Sequence, residues 1–261
     1  MKALNIAATG MLAQELNVEV ISNNIANMRT TGFKRSRAEF QDLLYQNLRR
    51  PGSATSDAGT IVPAGVEIGS GVKTTATPRI MSQGSVQSTE RELDVAIRGE
   101  GFFSIQLPDG RTAYTRDGSF ERDATGTIVT ANGYTVGSGI IIPENSRGIS
   151  INAQGSVQAY LNNDVAPTEL GTLQLANFTN KVGLEAMGDN LYLETAASGT
   201  AQIGTPDDPG YGNLLQTHLE MANVNAVSQI SDLIAAQRAY EMNSRVIKAA
   251  DEMLSSTANL R

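Results

Sequence analysis

The sequence contains no cysteine, no tryptophan and a single histidine, and only 5% of its 261 residues are aromatic. The absence of cysteine excludes disulfides and thiolate chemistry. With His218 as the only imidazole, a zinc site would need mostly carboxylate ligands, and no acidic cluster has ligand spacing. We therefore expect no cofactor and no metal. The scarcity of aromatic residues favours thin layers or a self-associating chain over one thick core.

Long apolar runs are also absent. No stretch is long and apolar enough to cross a bilayer, so we expect a protein that does not span the membrane. The first residues, MKALNIAATGMLAQELNVEV, have one early lysine. Polar residues interrupt the apolar core of roughly 7–15 residues that a cleaved secretory signal requires. If the protein leaves the cytoplasm, we expect a route without a cleaved signal.

The charge is negative overall and unevenly distributed. The net charge of −7 argues against a nucleic-acid partner. Residues 1–50 carry seven basic and four acidic side chains, which gives +3, and the remainder therefore carries −10. Arg29, Lys34, Arg35 and Arg37 form a basic cluster. It could bind phosphate or simply be a solvated helix end, but an acidic surface on a neighbouring copy fits the charge balance better.

Both ends of the chain have helical periodicity. From residue 4 to residue 28, apolar side chains recur at a spacing of three to four, with Glu15 and Ser22 at two of the intervening positions. The last 45 residues repeat this signal with heptad spacing. No glycine or proline occurs from His218 to Arg261, which permits one long helix beginning near His218.

The middle of the chain alternates apolar and polar residues. FFSIQLPDGRTAYTRDGSF and TIVTANGYTV each contain a turn sequence between two alternating runs, Pro108-Asp109-Gly110 and Asn132-Gly133. Turn signals recur every 8–12 residues or so, which predicts an all-β domain. Residues 41–78 differ again, because they are rich in Gly, Ser, Thr and Pro. They could be a linker or an extended ribbon, and we favour the ribbon.

The sequence thus predicts an α+β fold. Terminal amphipathic helices would pair as a discontinuous coiled-coil domain around an inserted all-β domain. The expected boundaries are residues 1–30 for the first helix, 31–78 for the connecting segment, 79–213 for the β domain and 214–261 for the second helix.

Signals for catalysis or ligand binding are weak. RGEGFF at 98–103 lacks the third glycine of a dinucleotide loop and leads into a strand. DGSFERDATG at 117–126 lacks the alternating oxygen ligands of a calcium loop. No convergent catalytic set is present, so we do not expect an enzyme. A ligand-binding β domain with oligomerising helical tails stays open and predicts a concave aromatic patch.

Three stretches resemble bacterial flagellar rod and hook proteins. They are ISNNIANMRTTGFKRSRAEFQDLLYQ (21–46), DVAIRGEGFFSIQLPDGRTAYTRDGSF (94–120) and EMANVNAVSQISDLIAAQRAYEMNSRVIKAADEML (220–254). The resemblance implies a self-assembling subunit of a rigid hollow axle that carries torque from motor to hook. It further implies an extracytoplasmic basal-body location and export by the flagellar type III apparatus. The implied partners are further copies, other rod proteins, the hook protein and the surrounding ring proteins.

The resemblance also suggests a role for the asparagines of the first helix. Asn23, Asn24 and Asn27 lie on one side of it, where their amides could fix the register of neighbouring helices. In the ribbon, Val62, Val66 and Ile68 would point inward at alternate positions. The full set of expected assembly residues in the helices is Leu4, Ala8, Met11, Val18, Asn23, Asn24, Ile25, Asn27, Ile230, Leu233, Gln237, Tyr240, Ile247 and Leu254.

Overall fold

The computed structural model describes residues 2–51, 64–162 and 166–259. The chain forms two compact units, and each is discontinuous in sequence. A helical unit combines Met1–Ile25, Ser36–Pro78 and Asn225–Arg261, and a β unit combines Ala26–Arg35 with Arg79–Val224. The predicted combination of two terminal helices and a β-rich middle is confirmed.

The helical unit is built on two long helices, α1 (Lys2–Ala26) and α2 (Ala226–Asn259). Asn225 caps the N-terminus of α2, because its Oδ1 accepts hydrogen bonds from the backbone N–H groups of Val227 at 3.0 Å and Ser228 at 3.2 Å. The expectation that the second helix begins near His218 is therefore wrong. Residues before the cap pair as strands, and Thr217 has a positive φ of 61° that a helix does not allow.

The segment after α1 forms an antiparallel ribbon in the same unit. The outer strands β1 (Glu39–Asp42) and β4 (Val72–Ala76) pair with each other, as do β2 (Tyr45–Arg49) and β3 (Val66–Gly69). The apolar residues Phe40, Leu43, Leu44 and Leu48 are spaced as in a short helix, but the structure places them in or beside strands.

The ribbon lies against the N-terminal half of α1. The backbone N–H of Val72 donates to Thr9 Oγ1 at 3.3 Å, and Lys2 Nζ donates to Gln46 Oε1. Gly71 has a φ of +117°, and a Cβ atom there would lie 2.2 Å from Thr9 Oγ1. Only glycine fits this crossing of strand and helix.

The described residues of the β unit form sixteen strands and a short 3₁₀ helix at Lys181–Gly183. The strands are β5 (Val86–Ser88), β6 (Val95–Arg98), β7 (Phe102–Gln106), β8 (Thr112–Thr115), β9 (Phe120–Arg122), β10 (Ile128–Thr130), β11 (Thr135–Val136), β12 (Ser146–Ile151), β13 (Ser156–Leu161), β14 (Thr168–Thr172), β15 (Leu175–Asn177), β16 (Glu185–Gly188), β17 (Leu191–Leu193), β18 (Gln202–Gly204), β19 (Asn213–Gln216) and β20 (His218–Glu220).

The largest sheet has nine strands in the order β16-β17-β8-β7-β11-β10-β9, with β15 joining at β7 and β18 joining at β15. Both predicted hairpins are confirmed. Gly110 turns β7 into β8 with a φ of +84°, and Gly133 turns β10 into β11 with a φ of +83°. The inward residues of alternating runs, such as Phe103, Ile105 and Val157, form the main core.

The smaller sheets correct the expected end of the β region. Strands β12, β13 and β14 form a three-stranded sheet, while β6 pairs with β19 and β5 with β20. Leu214 of β19 is buried in the main core. A boundary after residue 213 would cut through β19 and remove β20. The unit instead continues to Val224 and also includes residues 26–35, which directly follow the first helix.

Candidate assembly interface

The two helices of the helical unit contact each other through small and polar side chains. Asn24 Nδ2 donates to Gln229 Oε1 at 2.9 Å. A Cβ atom on Gly10 would lie 2.8 Å from Asn243 Nδ2, so the helices approach closely there. These contacts run from 10 to 24 on α1 and back from 243 to 229 on α2, which makes the helices antiparallel. The residues of the pair that are buried are Ala7, Ala13, Ile21, Asn24, Gln229, Ala236 and Ala250.

Asn24 forms the centre of a hydrogen-bond network within the chain. Besides Gln229, its Nδ2 donates to the backbone oxygen of Ser36 at 2.8 Å, and its Oδ1 accepts from the N–H of Ser36 at 2.9 Å. Its amide therefore bonds to the neighbouring helix of the same chain, as a register-fixing amide would, and its role in contacts between copies stays a prediction. Asn23 is exposed, and Asn27 Oδ1 accepts a hydrogen bond from Thr30 Oγ1 at 3.2 Å.

The predicted heptad face of α2 is not the face that contacts α1. Gln229, Ala236 and Ala250 are buried, and each lies one residue before a predicted heptad position. The large apolar side chains of α2 remain outside instead. Ile230, Tyr240 and Leu254 are exposed, while Leu233 and Ile247 are half-buried. The other exposed apolar residues of α2 are Val227, Ile234, Met242, Val246 and Met253.

The predicted face of α1 is half-buried throughout. It comprises Leu4, Ala8, Met11, Val18 and Ile25. The sequence analysis missed the fully buried Ala7 and Ala13, because their small side chains give a weaker apolar signal than their larger neighbours, and Ile21, which widens the apolar stripe, is buried as well.

A groove on the helical unit brings together predicted residues from both helices. Val18 of α1 and Gln237 and Tyr240 of α2 line a cavity of about 430 Å³, together with acidic side chains that include Glu15 and Glu241.

The ribbon offers a second apolar surface. Leu44, Tyr45, Leu48 and Val66 are exposed, and Ile68 is half-buried. The orientation predicted for Val62 concerns a position outside the described residues. Exposed apolar residues on one unit in this number are typical of an interaction surface.

The basic cluster after α1 has a buried member that the sequence analysis did not anticipate. In the β unit, Lys34 Nζ lies 2.6 Å from Glu220 Oε1 and donates to the backbone oxygen of Ser82 at 2.8 Å. Arg116 Nε lies 3.0 Å from Glu220 Oε2, which is an ion-pair distance, but the angle is not that of a hydrogen bond. The acidic partner of Lys34 is thus within the same chain. Residue spacing could not reveal it, because Lys34 and Glu220 are far apart in sequence.

The environment of this cluster controls its protonation. Burial lowers the pKa of Lys34 below its ordinary value, and the adjacent carboxylate of Glu220 opposes that effect. The nearby Tyr192 hydroxyl is also buried, and burial raises its pKa. Arg116 donates to the backbone oxygens of Gly101 at 2.6 Å and Gly99 at 2.9 Å, which satisfies the rest of its guanidinium.

His218 lies in β20, and its Nδ1 is 2.7 Å from the backbone oxygen of Gln216. Among the described residues, no group of three or more acidic or histidine side chains could hold a metal ion. Neither described helix contains an apolar stretch sufficient to cross a bilayer.

A helix pair that buries small and polar side chains while large apolar ones stay exposed is typical of a subunit that completes its packing in an assembly. Comparison with known families agrees. Residues 4–34 match the family described as flagella basal body rod protein, residues 96–159 match the flagellar hook protein FlgE/F/G D1 domain, and residues 215–260 match the flagellar basal body rod FlgEFG protein C-terminal.

Individual relatives match along the entire chain. The chain is 57% identical to the flagellar basal-body rod protein FlgG of Caulobacter vibrioides, covering 100% of both. It is 52% identical to that of Agrobacterium fabrum over 98% of this chain and 97% of the relative. Identity to that of Bacillus subtilis is 38%, over 100% of this chain and 99% of the relative. The chain belongs to the flagellar basal-body rod protein family.

Proposed function

We propose that this chain is a structural subunit of the distal flagellar rod, which self-assembles into a rigid hollow axle. The axle transmits torque from motor to hook and serves as an export conduit. The observation that carries the proposal is the helical unit, whose intramolecular seam uses small residues and leaves Ile230, Tyr240 and Leu254 exposed. Burying a large apolar side chain contributes about 1.5–3 kcal/mol. A neighbouring copy that covers these side chains would therefore stabilise the helices.

The degree of identity to named relatives supports the distal segment of the rod over a proximal rod or hook subunit. The chain is 57% identical to a relative named FlgG, whereas its identity to the FlhP protein of Bacillus subtilis, a flagellar hook-basal body complex protein, is 29%. Within the proposal, the partners are proximal rod proteins, the hook protein, the surrounding ring proteins and the flagellar type III export apparatus. The location is extracytoplasmic, from the periplasm to the outer membrane, without a cleaved signal.

A ligand-binding β domain is less well supported. That function needs a concave aromatic surface, but Phe102, Tyr114, Phe178 and Tyr192 pack together in a second buried cluster of the β unit. Their rings meet edge to face, with centroids 4.8 Å apart between Tyr114 and Phe178. These aromatic residues stabilise the fold and are not offered to a ligand.

The proposal is tested by polymerisation and complementation. The purified chain should form straight hollow polymers in electron micrographs, and expression in Caulobacter vibrioides lacking its own rod relative should restore motility. Ile230→Asp should abolish both without altering the circular dichroism of the monomer. Ser231→Asp places the same charge on the neighbouring exposed position and serves as the matched control. Polymers from Ile230→Asp that resemble wild type would remove the helical face from the interface.

A further inference from the structure

A basic pocket lies at the start of β12 in the β unit. It has a volume of about 400 Å³, and Arg91, Arg122 and Arg147 line it. All three arginines are exposed. The acidic side chain in the lining, Glu92, is already engaged, because its Oε2 accepts a hydrogen bond from the backbone N–H of Ile149 at 3.2 Å. The pocket therefore concentrates positive charge in a chain whose net charge is −7.

Two of these arginines have no acidic partner in the described part of the chain. Arg91 lies 3.7 Å from Asp94 and 3.6 Å from Glu121. Arg122 and Arg147 form no ion pair with any described residue. A guanidinium binds carboxylates through two parallel hydrogen bonds, so the pocket is suited to a pair of carboxylates.

A pair of adjacent carboxylates occurs in a loop of the same unit. Asp207 and Asp208 lie between β18 and β19 and are exposed, with a proline on either side. Hydrogen bonds from the N–H of Asp207 to the oxygen of Gly212 (3.0 Å) and from the N–H of Tyr211 to the oxygen of Asp208 (2.9 Å) hold the loop closed. Because the loop is already ordered, binding through it costs little conformational entropy.

The acidic loop and the basic pocket lie at opposite ends of β12. The pocket includes Arg147, at the beginning of the strand. The loop lies beside the turn that follows the strand, where Gln154 Nε2 donates to Asp207 Oδ2 at 3.1 Å. A strand of six residues spans about 20 Å. The β unit thus has a basic pocket at one end of β12 and an acidic loop near the other, and their charges are opposite.

We infer that neighbouring copies of this chain contact each other head to tail, with Asp207 and Asp208 of one copy in the Arg122–Arg147 pocket of the next. A contact between two different surfaces of one chain is heterologous, and it propagates into an open polymer when the rotation between copies does not close a ring. The inference rests on the proposed function, because it requires a polymer. It adds a contact between β units that is electrostatic and independent of the apolar helix faces.

The absence of native cysteine allows a direct test by cross-linking. The double variant Arg122→Cys/Asp208→Cys is polymerised and treated with a short bismaleimide, whose span replaces the length of the lost arginine. On a denaturing gel we expect a ladder of covalent multimers, since each copy is linked to two neighbours. Each single-cysteine variant should polymerise but run as a monomer on the denaturing gel. Arg111→Cys/Asp208→Cys is the matched control, because Arg111 is exposed in the β7–β8 turn outside the pocket.

The outcomes separate this contact from the proposed function. Polymers that form but yield no ladder overturn the contact and leave the rod function standing. A wild-type chain that forms no polymer overturns both. Circular dichroism of each variant before polymerisation shows that the monomer is folded.

Charge reversal provides a second test, which does not depend on cross-linking. Arg122→Glu/Arg147→Glu should raise the critical concentration for polymerisation about tenfold, because like charges then face each other. Adding Asp207→Arg/Asp208→Arg to the same chain should return the critical concentration to near the wild-type value. Arg111→Glu should have no effect. A quadruple variant that polymerises as poorly as the double variant would contradict the pairing of the acidic loop with the basic pocket.

Discussion

At the scale of single residues, the two helices are joined by polar groups whose burial demands complete hydrogen bonding. The side chain of Asn24 bonds to Gln229 and to both backbone groups of Ser36. A buried amide contributes little net stability, but it admits only one alignment of the groups around it. Gly10 and Ala236 let the helices approach, and Asn24 fixes where along their length they do so.

We predict that Asn24→Leu destabilises the helical unit. It removes the hydrogen bonds that Asn24 makes to the N–H of Ser36 and to Gln229 Oε1, at a cost of about 1–3 kcal/mol for each buried group. Ser22→Leu, at an exposed position of the same helix, is the control and should change stability by less than about 0.5 kcal/mol. Urea unfolding followed at the helical circular dichroism signal measures both. Equal stability of the two variants would mean that the network has no structural role.

The buried charges of the β unit make a second residue-scale prediction. Lys34→Met removes one of the two described cationic partners of Glu220 and should cost about 3–5 kcal/mol, because the carboxylate stays buried with Arg116 and the N–H of Gly84 beside it. Arg29→Met, at an exposed position, is the control. The double variant Lys34→Met/Glu220→Met should not recover the loss, because it leaves Arg116 buried without its carboxylate partner. A single variant as stable as wild type would show that water reaches the site.

The buried Tyr192 hydroxyl gives a pH prediction with a definite sign. Burial raises its pKa above the ordinary value of 10.0, so the folded chain holds a proton that the unfolded chain releases. The stabilisation is complete below pH 10 and is lost as the pH rises through the folded pKa. We expect the unfolding free energy of wild type to fall above pH 10, and to fall less steeply in Tyr192→Phe. Parallel curves for the two proteins would contradict this assignment.

At the scale of elements, the β unit incorporates strands from outside the region of obvious alternation. β19 and β20 follow the last turn signals and pair with β6 and β5. The short segment around Lys34 also belongs to this unit, since the N–H of Gly32 donates to the backbone oxygen of Glu220 at 2.7 Å. The β unit is therefore built from chain segments that precede and follow Ser36–Pro78 in the sequence.

We predict that a fragment of residues 79–213 is less stable than one that joins residues 26–35 to 79–224. The shorter fragment loses Glu220 and leaves Arg116 buried without it, which should cost at least about 3 kcal/mol. A short Gly-Ser linker can replace residues 36–78, because the N–H of Ile80 donates to the oxygen of Arg35 at 2.9 Å. Thermal melts by circular dichroism compare the two. Similar melting temperatures would restore the boundary expected from sequence.

The elements show what the sequence could and could not predict. The hairpins at Gly110 and Gly133 were predictable because a two-residue signal determines a local turn. The face of α2 was not, because a stripe of large apolar residues marks burial without saying whether the partner is α1 or another copy. The Lys34–Glu220 ion pair could not be predicted from the sequence, because it depends on which distant segments pack together in the fold. Nothing in the sequence indicated that the small residues Ala236 and Ala250, and not Ile230, lie at the contact between α1 and α2.

At the scale of the whole molecule, a rod subunit must be stiff although it is rich in glycine and serine after residue 50. The paired strands β1–β4 and β2–β3 satisfy their backbone groups within one chain, and exposed Leu48 and Val66 remain for contacts with other copies. Such contacts along a polymer resist bending because bending separates the surfaces that they join. We therefore assign stiffness to the ribbon and polymerisation to the helices.

This assignment predicts that deletion of residues 45–69 leaves a polymer that forms but bends more easily. The deletion removes β2 and β3 and keeps β1 paired with β4, whose ends are close because the N–H of Leu43 donates to the oxygen of Gly71 at 2.8 Å. Leu48→Ser/Val66→Ser keeps the ribbon but removes apolar contact, so it tests whether those side chains carry the stiffness. Persistence lengths from electron micrographs, with all polymers grown under the same conditions, should be longest for wild type, shorter for the double variant and shortest for the deletion. Equal persistence lengths would assign rigidity to the helices alone and reduce the ribbon to a spacer.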